Sequence, residues 1–294
     1  MSGYLPWKQI PDLLLTVVFL CAFCYVLIYG KTCDWYASPA IRAGTAIGLC
    51  AFGALLLKEA SARTGTYLDL HVFAYRNVWI GMLLFLVTVI ANYGSTLMVS
   101  YIKAASAADN LHGATLSLWC VLGCVLGGAL SVVMIVRRIP YKYIFATGLL
   151  LVCISNVYLY FYFQYQPQGV YEHMILPSVC NFAGMFMPYA VVCAYGMNRL
   201  PSWLLPTWLF LMIAVRNAVA PAISMSVYGN LMQERQQHYV TRFVQDVPSL
   251  AGAVTVKGQA AIVAMKDVTG RIVWFIGIVA VLALAYPRRW SMRS

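Results

Sequence analysis

Arg216 is the residue of this 294-residue chain that most needs a chemical reason for its position. It stands in Ala214-Val215-Arg216-Asn217-Ala218, near the midpoint of an apolar run at 203–230. If that run crosses a bilayer, a guanidinium at its centre costs at least about 2.5–3.5 kcal/mol on insertion scales, so it must face protein, water or a partner. Two roles satisfy that demand: a charge on a substrate or proton pathway, or a structural Arg that bonds helix carbonyls. Asn217 beside it and Pro221 one turn on predict an irregular helix, tolerated where it lines a cavity or lies buried in protein. Asn92, Tyr93, Asn156 and Asn181 also fall inside apolar runs. Each Asn can bond across helices for about 0.6–2 kcal/mol, so singly they read as packing contacts. Together with Arg216 and Asn217 they are what a polar cavity between helices needs, and these six are the candidate substrate-pathway residues.

The other reactive residue types make a poorer case. The nine acids are Asp12, Asp34, Glu59, Asp69, Asp109, Glu172, Glu234, Asp246 and Asp267, each expected in a loop or at a helix edge. Proton coupling usually relies on a buried carboxylate whose pKa crosses the working range, and none is expected at mid-membrane. The four histidines also fall at edges, and Glu172-His173 reads as an interfacial cap. Eight of nine cysteines, Cys33 excepted, lie within apolar runs, where Cys behaves as a small hydrophobe. Cys21 and Cys24 form a CxxC, but with no second pair and no nearby His they make a poor zinc or redox site. No HExxH, GxSxG or Walker loop occurs. The expectation is no enzyme, no metal and no cofactor.

The elements that must position these residues follow from composition. The chain is 62% apolar and 10% charged, with a mean hydropathy of +0.76. A water-soluble fold needs about a quarter of its residues charged, so lipid must cover most of this surface. Eight apolar runs of bilayer-spanning length fall near 11–30, 40–57, 78–100, 111–136, 141–163, 171–197, 203–230 and 271–287. They lack the alternation of barrel strands, and backbone amides in lipid have no water to bond. The expected fold is therefore all-α, a polytopic bundle of about eight transmembrane helices. Pro39, Pro140 and Pro201 stand at or before helix starts, where a missing N–H does least harm. Gly123 with Gly127 and Gly44 with Gly48 have the GxxxG spacing that lets helix backbones approach. The first run reads as a retained helix, since Lys8 is the sole base before it and no small-residue cleavage site follows. No soluble domain is expected before or after the helices.

The net charge of +11 is a topology signal, not a sign of nucleic-acid binding, because the bases cluster beside the apolar runs. Lys8, Lys58, Arg63, Arg76, Arg137, Arg138, Lys142, Arg199, Arg288, Arg289 and Arg293 fall on one side, against Lys31, Arg42 and Lys103 in the opposite short loops. The richer side is cytoplasmic by the positive-inside rule, with both termini there and a long loop at 231–270 outside. That loop carries Arg235, Arg242, Lys257 and Lys266, mostly away from helix ends. Its stretch from Met232 to Val247 can continue the seventh helix as an amphipathic extension.

Several stretches carry a family resemblance. Leu68-Asp69-Leu70-His71-Val72-Phe73 with Arg76-Asn77, Tyr101-Ile102-Lys103 followed by Ala107 and Gly113, Gly184-x-x-x-Pro188, Arg216, and Gln259-Ala260 with Asp267 occur in a set order. In that order the chain, from about 11 to 287, resembles the C-terminal part of a major facilitator superfamily transporter. The branch is the fourteen-helix drug:proton antiporters of the EmrB/QacA type. The resemblance implies two preceding helices over 1–77, then a six-helix bundle over 78–294 with two inverted three-helix repeats. It implies one wall of a midplane cavity in an exporter of drug-like or amphipathic small molecules in the cell (inner or plasma) membrane. The loop from Gly128 to Lys142 departs from the pattern, lacking the Asp of the superfamily's Gly-x-x-x-Asp-Arg motif. The N-terminal bundle, which would carry the coupling carboxylate, has no counterpart here. The implied partners are membrane lipid, a small-molecule substrate and an N-terminal bundle from the same gene or a separate chain, with no nucleic acid. The chain alone is expected not to transport; the alternative is a structural or assembly membrane protein with no transport activity. The topology is tested by a C-terminal reporter that is active only in the cytoplasm, which should give full signal, while one active only outside should stay silent.

Overall fold

The computed structural model describes residues 10–61, 69–105, 110–165, 171–198, 200–246 and 254–285. Lys8, Arg63, Arg199, Arg288, Arg289 and Arg293 of the basic-residue count lie outside them. Among the described residues the protein is all-α, with no strand, and eight helices are long and apolar enough to span a bilayer. It is an integral membrane protein.

In chain order the helices are α1 (Ile10–Tyr29), α2 (Pro39–Ser61), α3 (Arg76–Ala91), α4 (Tyr93–Ala105), α5 (Asn110–Val136), α6 (Tyr141–Tyr165) and α7 (Ile175–Met197). Then follow α8 (Leu205–Ala214), α9 (Ala220–Ser224), α10 (Asn230–Asp246) and α11 (Val254–Ala285). Two π-helical turns, Val215–Val219 and Met225–Gly229, link α8 to α9 and α9 to α10 along the chain.

Two boundaries differ from expectation. The run at 203–230 extends into a helical stretch over Ser202–Gln245, 44 residues. A bilayer-spanning helix needs roughly 17–25 residues, so this stretch holds more residues than one crossing requires. The last helix begins at Val254, not near 271, and most of the expected 231–270 loop is therefore helical. The loop reading failed because both helices change from apolar to amphipathic part-way along. Leu231, Met232, Tyr239, Val240, Phe243 and Val244 recur at helical spacing on the face of α10 less exposed than Gln233, Gln237 and Thr241, and α10 packs on α11. Hydropathy alone ends a span where the polar face begins.

Glu234 and Asp267 are accordingly not loop residues: they lie inside α10 and α11. Tyr239 donates a hydrogen bond to Asp267 Oδ2 at 2.7 Å, and Arg235 lies 4.0 Å from the same oxygen.

The packing divides into two compact units. One holds residues up to 86 with 193–227; the other holds 87–192 with the residues from 228 on. In the first, α1 packs on α2, Gly44 lies against Tyr25 and Gly48 against Ala22, and a buried Trp208 covers Gly196.

The second unit shows how a lipid-facing helix differs from a soluble one. In α5, Leu118, Val121, Leu122, Val125 and Leu126 point outward, Leu118 being 71% exposed. The opposite face carries Gly123 and Gly127: a Cβ on Gly123 would lie 2.6 Å from the Val179 carbonyl oxygen, and one on Gly127 2.8 Å from the Ala183 Cα. Large side chains cover the surface and small ones meet α7, as membrane packing requires when burial in a neighbour gains nothing over lipid. α6 and α7 touch the same way, with Gly148 against Gly184 and Pro188. Lys266 of α11 sits 5.3 Å above the Tyr160 ring of α6. α5 ends with Arg138 at φ 56°, where the Ile139 N–H reaches back to the Met134 carbonyl at 3.0 Å and Pro140 starts the next segment.

The α6–α7 crossing is open to test. A Cβ at Gly184 would meet the Gly148 carbonyl oxygen at 2.6 Å and Leu151 Cβ at 2.8 Å, whereas one at Gly277 meets nothing within 4 Å. Gly184→Leu should therefore cost about 1–3 kcal/mol or more in detergent unfolding, while Gly277→Ala is neutral or stabilising.

Candidate functional site

The seventh span cannot stay a regular α-helix around Pro221. Proline has no N–H, and its ring crowds the carbonyl four residues back, here that of Asn217. The chain responds by widening: the Ala220 N–H bonds the Val215 carbonyl, a five-residue step that closes the turn containing Arg216 and Asn217. Cys24 of α1 approaches the loosened stretch, its thiol donating to the Ala218 carbonyl across 3.5 Å. One cysteine of the CxxC thus serves the backbone of a neighbouring helix, and all nine cysteines are free thiols. Arg216 and Asn217 themselves stand exposed at the protein surface. In an apolar span, that places a guanidinium where lipid alone cannot solvate it.

The other four candidates lie in the second unit and cluster about a helix break. Asn92 interrupts the third span between α3 and α4, its N–H shared by the Thr88 and Val89 carbonyls at 3.2 and 3.1 Å. Ser95 donates to the Asn92 carbonyl at 2.9 Å, which closes the broken turn. Asn181 Nδ2 on α7 donates to Asn92 Oδ1. Asn181 and Asn156 are fully buried, and Asn156 Nδ2 donates back to the Val152 carbonyl at 2.8 Å. The side-chain oxygen of Asn156 lies over Gly94, where a Cβ would collide with it. Tyr93, also buried, packs against Tyr228 with the rings tilted by 31° and their centroids 5.3 Å apart. The six candidates therefore form two groups: Arg216 with Asn217 on an exposed π turn, and Asn92, Tyr93, Asn156 and Asn181 in packed contacts.

A second polar centre in the first unit was not expected from the sequence. Asp12, in the first turn of α1, is buried, and its carboxylate pairs with the Lys58 ammonium from the last turn of α2. The acid is indeed at a helix edge, but it is not solvated there. The signal was readable: an acid opening one helix and a base closing its antiparallel neighbour must share one end of the pair. Asp69 lies close by, accepting from the His71 backbone N–H at 2.9 Å, with His71 Nδ1 at 2.8 Å from the same oxygen. Its own backbone N–H donates to Thr207 Oγ1 at 3.4 Å. Below these groups lies a partly open cavity of about 190 Å³, walled by apolar side chains from α1, α2 and α8.

Among the described residues no group of three or more His, Cys, Asp or Glu side chains could hold a metal ion.

The Asn92–Asn181 contact gives a direct energetic test. A double-mutant cycle with Asn92→Ala and Asn181→Ala, read by unfolding in detergent, should show a coupling of about 0.6–1.7 kcal/mol. Gly94→Ala should destabilise independently by displacing the Asn156 amide.

No protein-family model matches the chain, and no curated protein matches it in sequence.

Proposed function

We propose that this membrane protein is one half of a proton-coupled exporter of drug-like or amphipathic small molecules, working with a second helix bundle from the same gene or another chain. The single observation that carries this reading is Arg216, held with Asn217 on a π-helical turn and exposed at the surface of an apolar span. A charge exposed on an apolar span is costly against lipid, and one wall of an alternating-access cavity is a place where it is tolerated. The irregular helix supports the same reading, because broken helices near the bilayer midplane are where transporters of this general design bind their substrates. The order of sequence stretches from Leu68 to Asp267 supports the superfamily, its drug:proton antiporter branch and with them a cell-membrane location, and the basic-residue bias supports cytoplasmic termini.

A second reading, a structural or assembly protein, draws on the second unit. There the buried Asn156 and the Asn92–Asn181 bond behave as packing contacts, not as groups held open for a solute.

The two readings separate at Arg216. In cells carrying the complete partnered system, Arg216→Ala should lower efflux of a labelled cationic dye roughly 10- to 100-fold, the value of one charge-assisted contact, at unchanged membrane yield. Arg216→Lys should restore part of it. Lost yield with unchanged efflux per molecule would instead establish the scaffold. The 294-residue chain alone in liposomes should move no dye.

A further inference from the structure

The cavity beneath Asp12 and Lys58 belongs to neither group of pathway candidates, and its size and chemistry point elsewhere. At about 190 Å³ it is somewhat larger than an apolar protein cavity of about 150 Å³ that takes one benzene. It is well short of the roughly 300–1,000 Å³ of pockets that enclose drug-sized molecules. One flexible hydrocarbon segment fits; a polycyclic drug does not.

Its polarity is sorted by depth. Asp12 and Thr16 open α1, Lys58 closes α2, Asp69 precedes α3 and Thr207 opens α8, so the polar groups gather at one end of the helices. That is the end which the basic-residue bias assigns to the cytoplasm. Phe19, Phe52 and Ala214 lie six or seven residues further along their helices from Asp12, Lys58 and Thr207, about 10 Å deeper at 1.5 Å per residue. Trp79, exposed and donating its indole N–H to the Phe73 carbonyl at 2.7 Å, marks the same end as interfacial. A polar rim at headgroup depth thus stands over an apolar slot that runs into the hydrocarbon.

The rim also selects a headgroup. It holds two carboxylates and one ammonium, and the Lys58 side chain remains 40% exposed while it pairs with Asp12. A phosphate can approach that ammonium from the open side. A primary ammonium a few ångströms away can donate to Asp69, which shares its carboxylate with the exposed His71. A headgroup that is anionic without a cation meets an excess of negative charge, and a quaternary ammonium has no N–H to donate.

We propose that this cavity is a binding site for one acyl chain of a zwitterionic aminophospholipid, its phosphate on Lys58 and its primary ammonium on Asp69. The site does not depend on the chain being a transporter, only on its lying in a bilayer.

The experiment uses the full chain purified in detergent and supplemented with phosphatidylethanolamine, phosphatidylcholine or phosphatidylglycerol of identical acyl chains. Retained lipid is counted by native mass spectrometry and thermal unfolding is followed in parallel. One phosphatidylethanolamine should remain bound, with an affinity roughly tenfold above the other two, the value of one charge-assisted hydrogen bond. Asp69→Asn and Lys58→Ala should each erase that preference. Ala214→Phe and Leu211→Trp, two independent ways to fill the slot, should remove the bound lipid with all three headgroups. Equal retention of the three lipids by the unaltered protein overturns the headgroup assignment without any variant having to fold. Unchanged retention in a folded slot-filling variant overturns the cavity as the site.

Discussion

Inside a bilayer no water is available to a backbone N–H or C=O, and each group left unpaired costs several kcal/mol. That constraint dictates the eight helices, and it also explains how this chain handles the places where a helix cannot continue. At Asn92 the break is closed by Ser95, whose hydroxyl donates to the Asn92 carbonyl, while the Asn92 side chain accepts from the amide of Asn181 on α7. At Pro221 the chain inserts a π turn instead of leaving a gap, and the thiol of Cys24 approaches a carbonyl of the widened stretch. The side chains that look most like functional candidates in these spans are therefore partly servants of the backbone. Asn92 sits at a helix break and ties it to α7 through Asn181; Arg216 and Asn217 ride on a helix that has been widened.

The same lack of water removes the usual driving force for packing, since a leucine in lipid gains little by moving into protein. What remains is close fit. Gly123 and Gly127 on α5, and Gly148 and Gly184 between α6 and α7, let backbone meet backbone, while Leu118 and its neighbours are left to the hydrocarbon. Polar contacts add to that fit. Asp12 with Lys58, and Tyr239 with Asp267, join one helix to another at the ends or beyond the apolar parts of their runs.

Much of the fold could be read from the sequence because hydropathy and bilayer thickness are nearly sufficient to place helices. The eight runs, the glycine contacts of α5 and the irregularity about Pro221 were all legible. The far side of the seventh and eighth spans was less so: α10 and the start of α11 are amphipathic, and a window that counts only apolarity ends there. The helical reading from Met232 onward was available from periodicity, but the start of α11 at Val254 was not. At the candidate site, the sequence identified residues that need partners without telling which partner each finds. Asn181 meets Asn92, while Asn156 folds back onto its own helix above Gly94. Asp12 taken alone reads as a solvated helix edge, because position along the chain does not report burial. Its partner, 46 residues away, comes close only once α1 and α2 pair.

The length of α11 has a mechanical consequence. Thirty-two helical residues make an unbroken rod of about 48 Å, roughly one and a half times the depth of the hydrocarbon. A helix without a hinge transmits a tilt whole. With α10 laid against it and Tyr239 bonded to Asp267, the excess length of α11 has its own protein brace, while the helix also meets α4 and α6.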